Sequence, residues 1–219
     1  MANRLGITLG VLAACLAGTL AALLLLRKPT PPPFIFSSGY AGAIAPANIR
    51  PVSFSLHDEN GEPQSLARYH GRVVVFAFMY SHCQDFCPLQ AQQIRAALDE
   101  LGHDVPVLAL SMDPANDTPT SVRAFEARNG MLGRMHFLLG SRAQLIPIWA
   151  QYGVVPQTAL SQHSSRVLVL DRDGREVVSF PPDGLTPEGL AHDIRRVEAT
   201  RSRGGPAPSS APGAVLRHD

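Results

Sequence analysis

Residues 72–80, RVVVFAFMY, make an apolar, β-rich run with no polar alternation, the pattern of a strand buried within a sheet. The run hands over almost at once to a helical pattern from Pro88 (PLQAQQIRAALDEL). Leu89, Ile94, Ala97, Leu98 and Leu101 are available there for an inward face, and Gly102 marks the end. The rest of the central region keeps alternating. SFSLHDENGEPQSL reads as a hairpin turning at Asn60-Gly61. VPVLALSMD reads as a second buried strand and DTPTSVRAFEARNG as a helix, with Asp117 or Thr118 as its cap and Pro119 in its first turn. MHFLLG reads as a third strand and SRAQLIPIWAQYG as a helix that must tolerate Pro147. SRVLVLDRDGREVVSF reads as a hairpin turning at Asp173-Gly174, and TPEGLAHDIRRVEA as a closing helix capped by Thr186.

The early half suits parallel crossovers and the late half an antiparallel addition. The expected fold is therefore α/β and thioredoxin-like, with an added N-terminal β-hairpin and an inserted strand–helix element. It is expected over residues 51–200, between flanks of different character. Residues 5–26 carry no charge and are closed by Arg27-Lys28; at about 1.5 Å per residue they span roughly 33 Å, enough to cross a bilayer core. Residues 1–28 are read as a retained membrane anchor, because the apolar run exceeds that of a typical signal peptide. LAAC at 12–15 resembles a lipoprotein cleavage box ending in Cys15, but the residues after it stay apolar. Arg4 on one side and Arg27 with Lys28 on the other leave orientation unspecified by charge. Residues 29–50 form a proline-rich linker, and 201–219, rich in Pro, Gly, Ser and Ala, form a tail predicted to be disordered. A net charge of +1 without a basic stripe gives no footprint for nucleic acid. No Arg- and Ser-rich transit peptide is present, which favours a bacterial membrane.

Two of the three cysteines, Cys83 and Cys87, fall where the first core strand passes to its helix. Helix N-termini stabilise anions, so thiols there have depressed pKa values. A spacing of four brings both side chains onto one face if the turn is helical. Three readings stay open: two packed thiols, a disulfide pair, or part of a soft-metal site for Cu(I) or Zn. A metal needs a further ligand from the eight histidines. His57 and His70 read as surface residues, and His103 as a helix-end residue. His192 and His218 are remote, and His82 diverges from its neighbour Cys83. His163, just before the strand from Arg166, lies in the loop that faces the cysteine loop in a thioredoxin-like fold. Two thiolates and an imidazole would make a three-coordinate soft-metal site.

Three ordered blocks resemble the Sco/SenC family, named for synthesis of cytochrome c oxidase. GRVVVFAFMYSHCQDFCPLQ is similar to that family's strand leading to Y-T/S-H-C-x-x-x-C-P, LSMDPANDTP to S-V-D-P-x-x-D-T-P, and QHSSRVLVLDRDG to D-H-S-S-x-x-x-L-x-D-x-D-G. The resemblance implies a single-pass copper protein of the bacterial cytoplasmic membrane, with its soluble domain on the extracytoplasmic, periplasmic side. It implies copper, as Cu(I) or Cu(II), on Cys83, Cys87 and His163, with Asp113 in a supporting role. The implied partners are a copper donor and cytochrome c oxidase subunit II, whose dinuclear CuA centre such proteins help assemble, or another exported copper protein. Two positions depart from the family: Gln162 stands where it usually has an acid, and Met79, read as core packing, where it often has glycine. Asp117 is read as a helix cap. The leading expectation is a membrane-tethered metallochaperone and not an enzyme. Its rival is a thiol–disulfide reductase that uses Cys83 and Cys87 to keep a partner's copper-binding cysteines reduced. His163 separates the two, since a reductase needs no imidazole ligand.

Overall fold

The computed structural model describes residues 39–46, 51–155 and 165–200, together with Cys15, Leu16, Gly18 and Thr19. In chain order the folded unit consists of β1 (Ala43–Ile44), β2 (Leu56–His57), β3 (Pro63–Gln64), a 3₁₀ turn (Leu66–Tyr69), β4 (Val74–Met79), α1 (Phe86–Leu101), β5 (Val107–Ser111), α2 (Pro119–Arg128), β6 (His136–Leu138), α3 (Arg142–Gln151), β7 (Val167–Leu170), β8 (Glu176–Phe180) and α4 (Pro187–Ala199).

Every residue of β4 is buried, which is why it reads as a continuous apolar run. Its side chains still alternate between two faces. Val75, Ala77 and Met79 pack with Ile94 and Leu98 of α1, Phe125 of α2, and Leu190 and Ile194 of α4. Val74, Phe76 and Phe78 pack on the other face with Leu145, Ile148 and Trp149 of α3. Each fully buried large apolar side chain contributes about 1.5–3 kcal/mol, so β4 takes the centre of the six-stranded sheet, ordered β1-β8-β7-β4-β5-β6. β4, β5 and β6 run parallel, while β7, β8 and β1 add on antiparallel. This is the thioredoxin-like α/β arrangement that the element order predicts.

The expected hairpin is present as β2–β3, turning through Asn60 and Gly61. It covers the free edge of the sheet: His57 N–H donates to the Leu139 carbonyl at 3.3 Å and Leu139 N–H to the His57 carbonyl at 2.8 Å. Covering an edge strand in this way removes a template for unwanted pairing. α3 does contain Pro147. Burial of Leu145, Ile148 and Trp149, with Trp149 Nε1 donating to the Ser111 carbonyl at 3.1 Å, outweighs the one backbone bond that Pro147 cannot make.

The linker expected over 29–50 needs correction, because part of it belongs to the sheet. Ala43 and Ile44 pair with Ser179 and Val178 at the outer edge of β8. The buried carboxylate of Asp193 on α4 accepts Ala41 N–H at 2.8 Å and Gly42 N–H at 2.9 Å. The Arg196 guanidinium lies 4.8 Å over the Tyr40 ring. Gly42 has to be small, since a Cβ there would meet the Ser179 carbonyl at 2.9 Å. The tail 201–219 lies outside the described residues, as does nearly all of the anchor expected over 5–26. Among the described residues no helix is long and apolar enough to cross a membrane.

Asp193 is thus the fastener of the N-terminal segment. Asp193→Ala leaves two backbone donors without their charged acceptor, a loss of roughly 2 kcal/mol. The expected result is a lower chemical-denaturation midpoint with faster protease cleavage within 39–46. An unchanged midpoint and cleavage rate would assign the docking to strand pairing alone.

Candidate functional site

β4 ends at Met79 and α1 begins at Phe86, so Cys87 sits inside the first helical turn and Cys83 just ahead of it. Asp85 occupies the cap position without a side-chain bond to the helix. The Cys83 sulfur does that work instead, accepting the Cys87 N–H at 3.3 Å. This bond puts both sulfurs on one side of the turn. Both cysteines are reduced and buried, Cys83 being 6% exposed and Cys87 0%.

The two thiols are electrostatically unequal. The Cys87 side chain, hydrogen-bonded to Cys83, holds the Cys83 pKa down to about 5, helped by the backbone N–H groups of Cys87 and Asp85 and by Tyr80 against the opposing effect of burial. Cys87 is pushed far up, first by that same hydrogen bond and then by burial. The pair therefore shares one proton, with a thiolate at Cys83 and a thiol at Cys87 that donates to it. Tyr80 is raised by burial and by its bond to Cys83.

A polar clamp holds this loop to the sheet. The buried Asp117 carboxylate accepts from Ser81 N–H at 2.8 Å, from Ser81 Oγ at 2.7 Å and from Ser111 Oγ at 2.5 Å. Burial raises the Asp117 pKa, against the lowering effect of these bonds. The expectation that Asp117 caps α2 is corrected here. Thr118 is the cap, accepting Ser121 N–H at 3.1 Å while Ser121 Oγ accepts Thr118 N–H at 2.9 Å. Asp113 lies half-buried in the turn after β5. It accepts from Asn116 Nδ2 at 2.8 Å, and its carbonyl accepts Asp117 N–H at 2.8 Å. Its link to the cysteine loop runs through Asp117. Met79 is fully buried in the cluster that also contains Cys83 and Cys87, a packing role. His82 is exposed, its Nδ1 lying 3.0 Å from Ser81 Oγ.

His163 and Gln162 lie outside the described residues, within 156–164. What is described is where that segment rejoins the sheet. β7 runs antiparallel to β4, so its start lies beside the end of β4 that carries the cysteine loop. Phe78 N–H donates to the Arg166 carbonyl at 3.3 Å. Buried Ser165 donates to the Phe78 carbonyl at 3.3 Å and to Gln90 Oε1 at 3.0 Å. Gln90 stands on α1, one turn past Cys87, and ties the helix to the strand start two residues beyond His163. Sequence reasoning missed Gln90; its one signal is a polar residue on the buried face of α1.

Chemically, two sulfurs on one helical turn can grip a soft ion or exchange with a disulfide. The lowered Cys83 pKa sets the pH range for either. In the reduced, metal-free chain, a thiolate absorbance step should appear as pH rises through about 5 and be lost below it. Cys83→Ser should abolish the step. A first thiolate step only near the ordinary cysteine value of about 8.5 would contradict the shared-proton pair.

The SCO1/SenC family model matches residues 44–199. Protein SCO2, mitochondrial, of Saccharomyces cerevisiae is 33% identical over 161 residues, covering 67% of this chain and 52% of its own length. Protein SenC of Rhodobacter capsulatus is 29% identical over 152 residues, covering 64% of this chain and 67% of its own. The chain thus spans about half the length of the yeast relative and about two thirds of the bacterial one. Among solved structures, copper-bound ScoI of Bradyrhizobium japonicum superposes with a TM-score of 0.57 at 29% identity, covering 67% of this chain and 98% of that one. The family pattern begins at the second residue of β1 and ends at the last residue of α4, enclosing the cysteine turn and residues 156–164; the chain belongs to the SCO1/SenC family.

Proposed function

We propose that this chain is a copper chaperone and assembly factor that carries copper on Cys83, Cys87 and His163. It delivers the metal to the CuA centre of cytochrome c oxidase subunit II or to another exported copper protein. The observation that carries the reading is the cysteine turn. Cys83 and Cys87 share one face of the start of α1, at the sheet end where the segment holding His163 rejoins β7. Copper bound to a relative at 29% identity supports the metal. The donor set suits it: thiolates and an imidazole favour a soft ion and give too few ligands for a closed zinc site.

The protein's own groups supply the steps. Cys83 is ionised before the metal arrives and makes first contact. Cys87 holds its proton until metal displaces it, so loading releases a proton. The Asp117–Ser81 clamp fixes the cysteine loop to the sheet, and the Gln90–Ser165 bond fixes α1 to the approach to β7. Transfer then proceeds as the partner's ligands replace these one at a time. Asp113 supports the site through Asp117. Attachment to the bacterial cytoplasmic membrane through residues 5–26, with the domain on the extracytoplasmic side, belongs to the same proposal.

The unequal thiols also favour a second reading as a reductase. The Cys83 thiolate would attack a partner's disulfide and Cys87 would resolve the mixed disulfide. Starting from one thiolate and one thiol, the pair loses two electrons and one proton and forms the Cys83–Cys87 disulfide, while the partner's disulfide gains them and becomes one thiol and one thiolate.

Copper titration of the full-length chain, wild type beside His163→Ala, distinguishes the two. Wild type is expected to take up a single copper with sulfur-to-metal charge transfer. The variant is expected to bind at least about tenfold more weakly, since even residues that only orient a ligand cost 10–100-fold when removed. Unchanged binding in the variant would remove His163 from the ligand set. No binding in wild type would leave the reductase reading.

A further inference from the structure

A second group of metal-ligating side chains lies away from the cysteines, at the sheet edge covered by the β2–β3 hairpin. Asp58 and Glu59 come from the hairpin turn and His136 from β6; one ligand atom from each lies within 4.8 Å of the others. Both carboxylates are buried, Asp58 at 2% and Glu59 at 5% exposure. The Asp58 oxygens accept from Asn60 N–H at 2.9 Å, Glu62 N–H at 2.9 Å and Gln64 Nε2 at 2.7 Å. Its Oδ2 also faces His136 Nδ1 at 3.1 Å. Glu59 accepts from Asn60 Nδ2 at 2.7 Å and from Phe137 N–H at 2.8 Å, and its carbonyl accepts Arg123 Nη1 at 2.6 Å.

These bonds would suit a turn that merely satisfies its own acids. Glu126 does not fit that account. It projects from α2, is 0% exposed, and neither of its carboxylate oxygens has a hydrogen-bond partner among the described residues. Arg123, three residues earlier on α2, bonds the Glu59 carbonyl, which turns this side of the helix toward the hairpin turn, and the charges of Glu59, Asp58 and Arg123 act on Glu126. A buried carboxylate with no donor is costly unless a cation or a proton answers it. Here one guanidinium and one imidazole stand near three acids.

We propose that Asp58, Glu59 and His136, backed by Glu126, form a second metal site for a divalent cation of the zinc class, independent of the cysteine pair. An imidazole with carboxylates matches borderline ions such as Zn²⁺. The absence of sulfur excludes it as a Cu(I) site, and the imidazole sets it apart from the all-oxygen cages of calcium. The ion would tie three elements together: the hairpin turn, edge strand β6 and helix α2. It would thereby fasten the cover over the sheet edge, a structural role distinct from carrying copper.

The test is Zn²⁺ titration by calorimetry of the full-length chain carrying Cys83→Ser and Cys87→Ser, which removes the thiols as competitors. The expected result is one Zn²⁺ per chain and a higher melting temperature with the metal bound. Adding His136→Ala should weaken binding at least tenfold and abolish the thermal shift. Adding the isosteric Glu126→Gln should weaken binding while leaving the far-ultraviolet circular dichroism unchanged. No Zn²⁺ uptake by the double-serine chain overturns the site, as does uptake that survives both His136→Ala and Glu126→Gln.

Discussion

β4 is held on all sides, by β5 and β7 through backbone bonds and by helices on both faces. With all of its residues buried, its C-terminal end has a defined position, and the cysteine loop and the start of β7 take their positions from it. The cysteine loop leaves directly from Met79. Ser165 and the start of β7 lie beside it, because β7 pairs antiparallel with β4 and Ser165 bonds the Phe78 carbonyl. Phe78 and Ser165, 87 positions apart, meet because β4 and β7 are neighbours in the sheet.

Local electrostatics then divide labour within the pair. A helix start would lower both thiols if they were equally exposed to its free N–H groups. Cys83 accepts such a bond from Cys87 N–H, and the Cys87 thiol donates to it as well. One residue thus acts as helix cap and, in the proposed function, as ligand or nucleophile. This arrangement serves copper capture and disulfide exchange equally, which is why the proposed third ligand decides between them.

Much of this was legible in the sequence because it rests on local pattern. The buried strands, the Asn60-Gly61 hairpin, the helices after Pro88 and Pro119 and the family blocks all declare themselves within short windows. What stayed hidden depends on distant partners. The two-residue strand β1 has no pattern of its own and owes its place to Asp193, some 150 residues later. Asp117 and Thr118 are both good caps by composition. The choice fell to Thr118 because Ser81 and Ser111 engage the Asp117 carboxylate from other elements. α1 starts at Phe86, ahead of Pro88, because a sulfur supplies the cap that pattern reading seeks in an oxygen. Gln90 and Glu126 are buried polar residues on helices, and only the packed structure shows what they face.

As proposed, Cys83, Cys87 and His163 make one copper site within a single chain. X-ray absorption at the copper edge, on the full-length chain loaded with one equivalent of Cu(I), reads the ligand set directly. The expected result is two sulfur scatterers and one nitrogen, with the nitrogen lost in His163→Ala. Sulfur ligation alone in the wild type, or ligation by nitrogen and oxygen without sulfur, would contradict it.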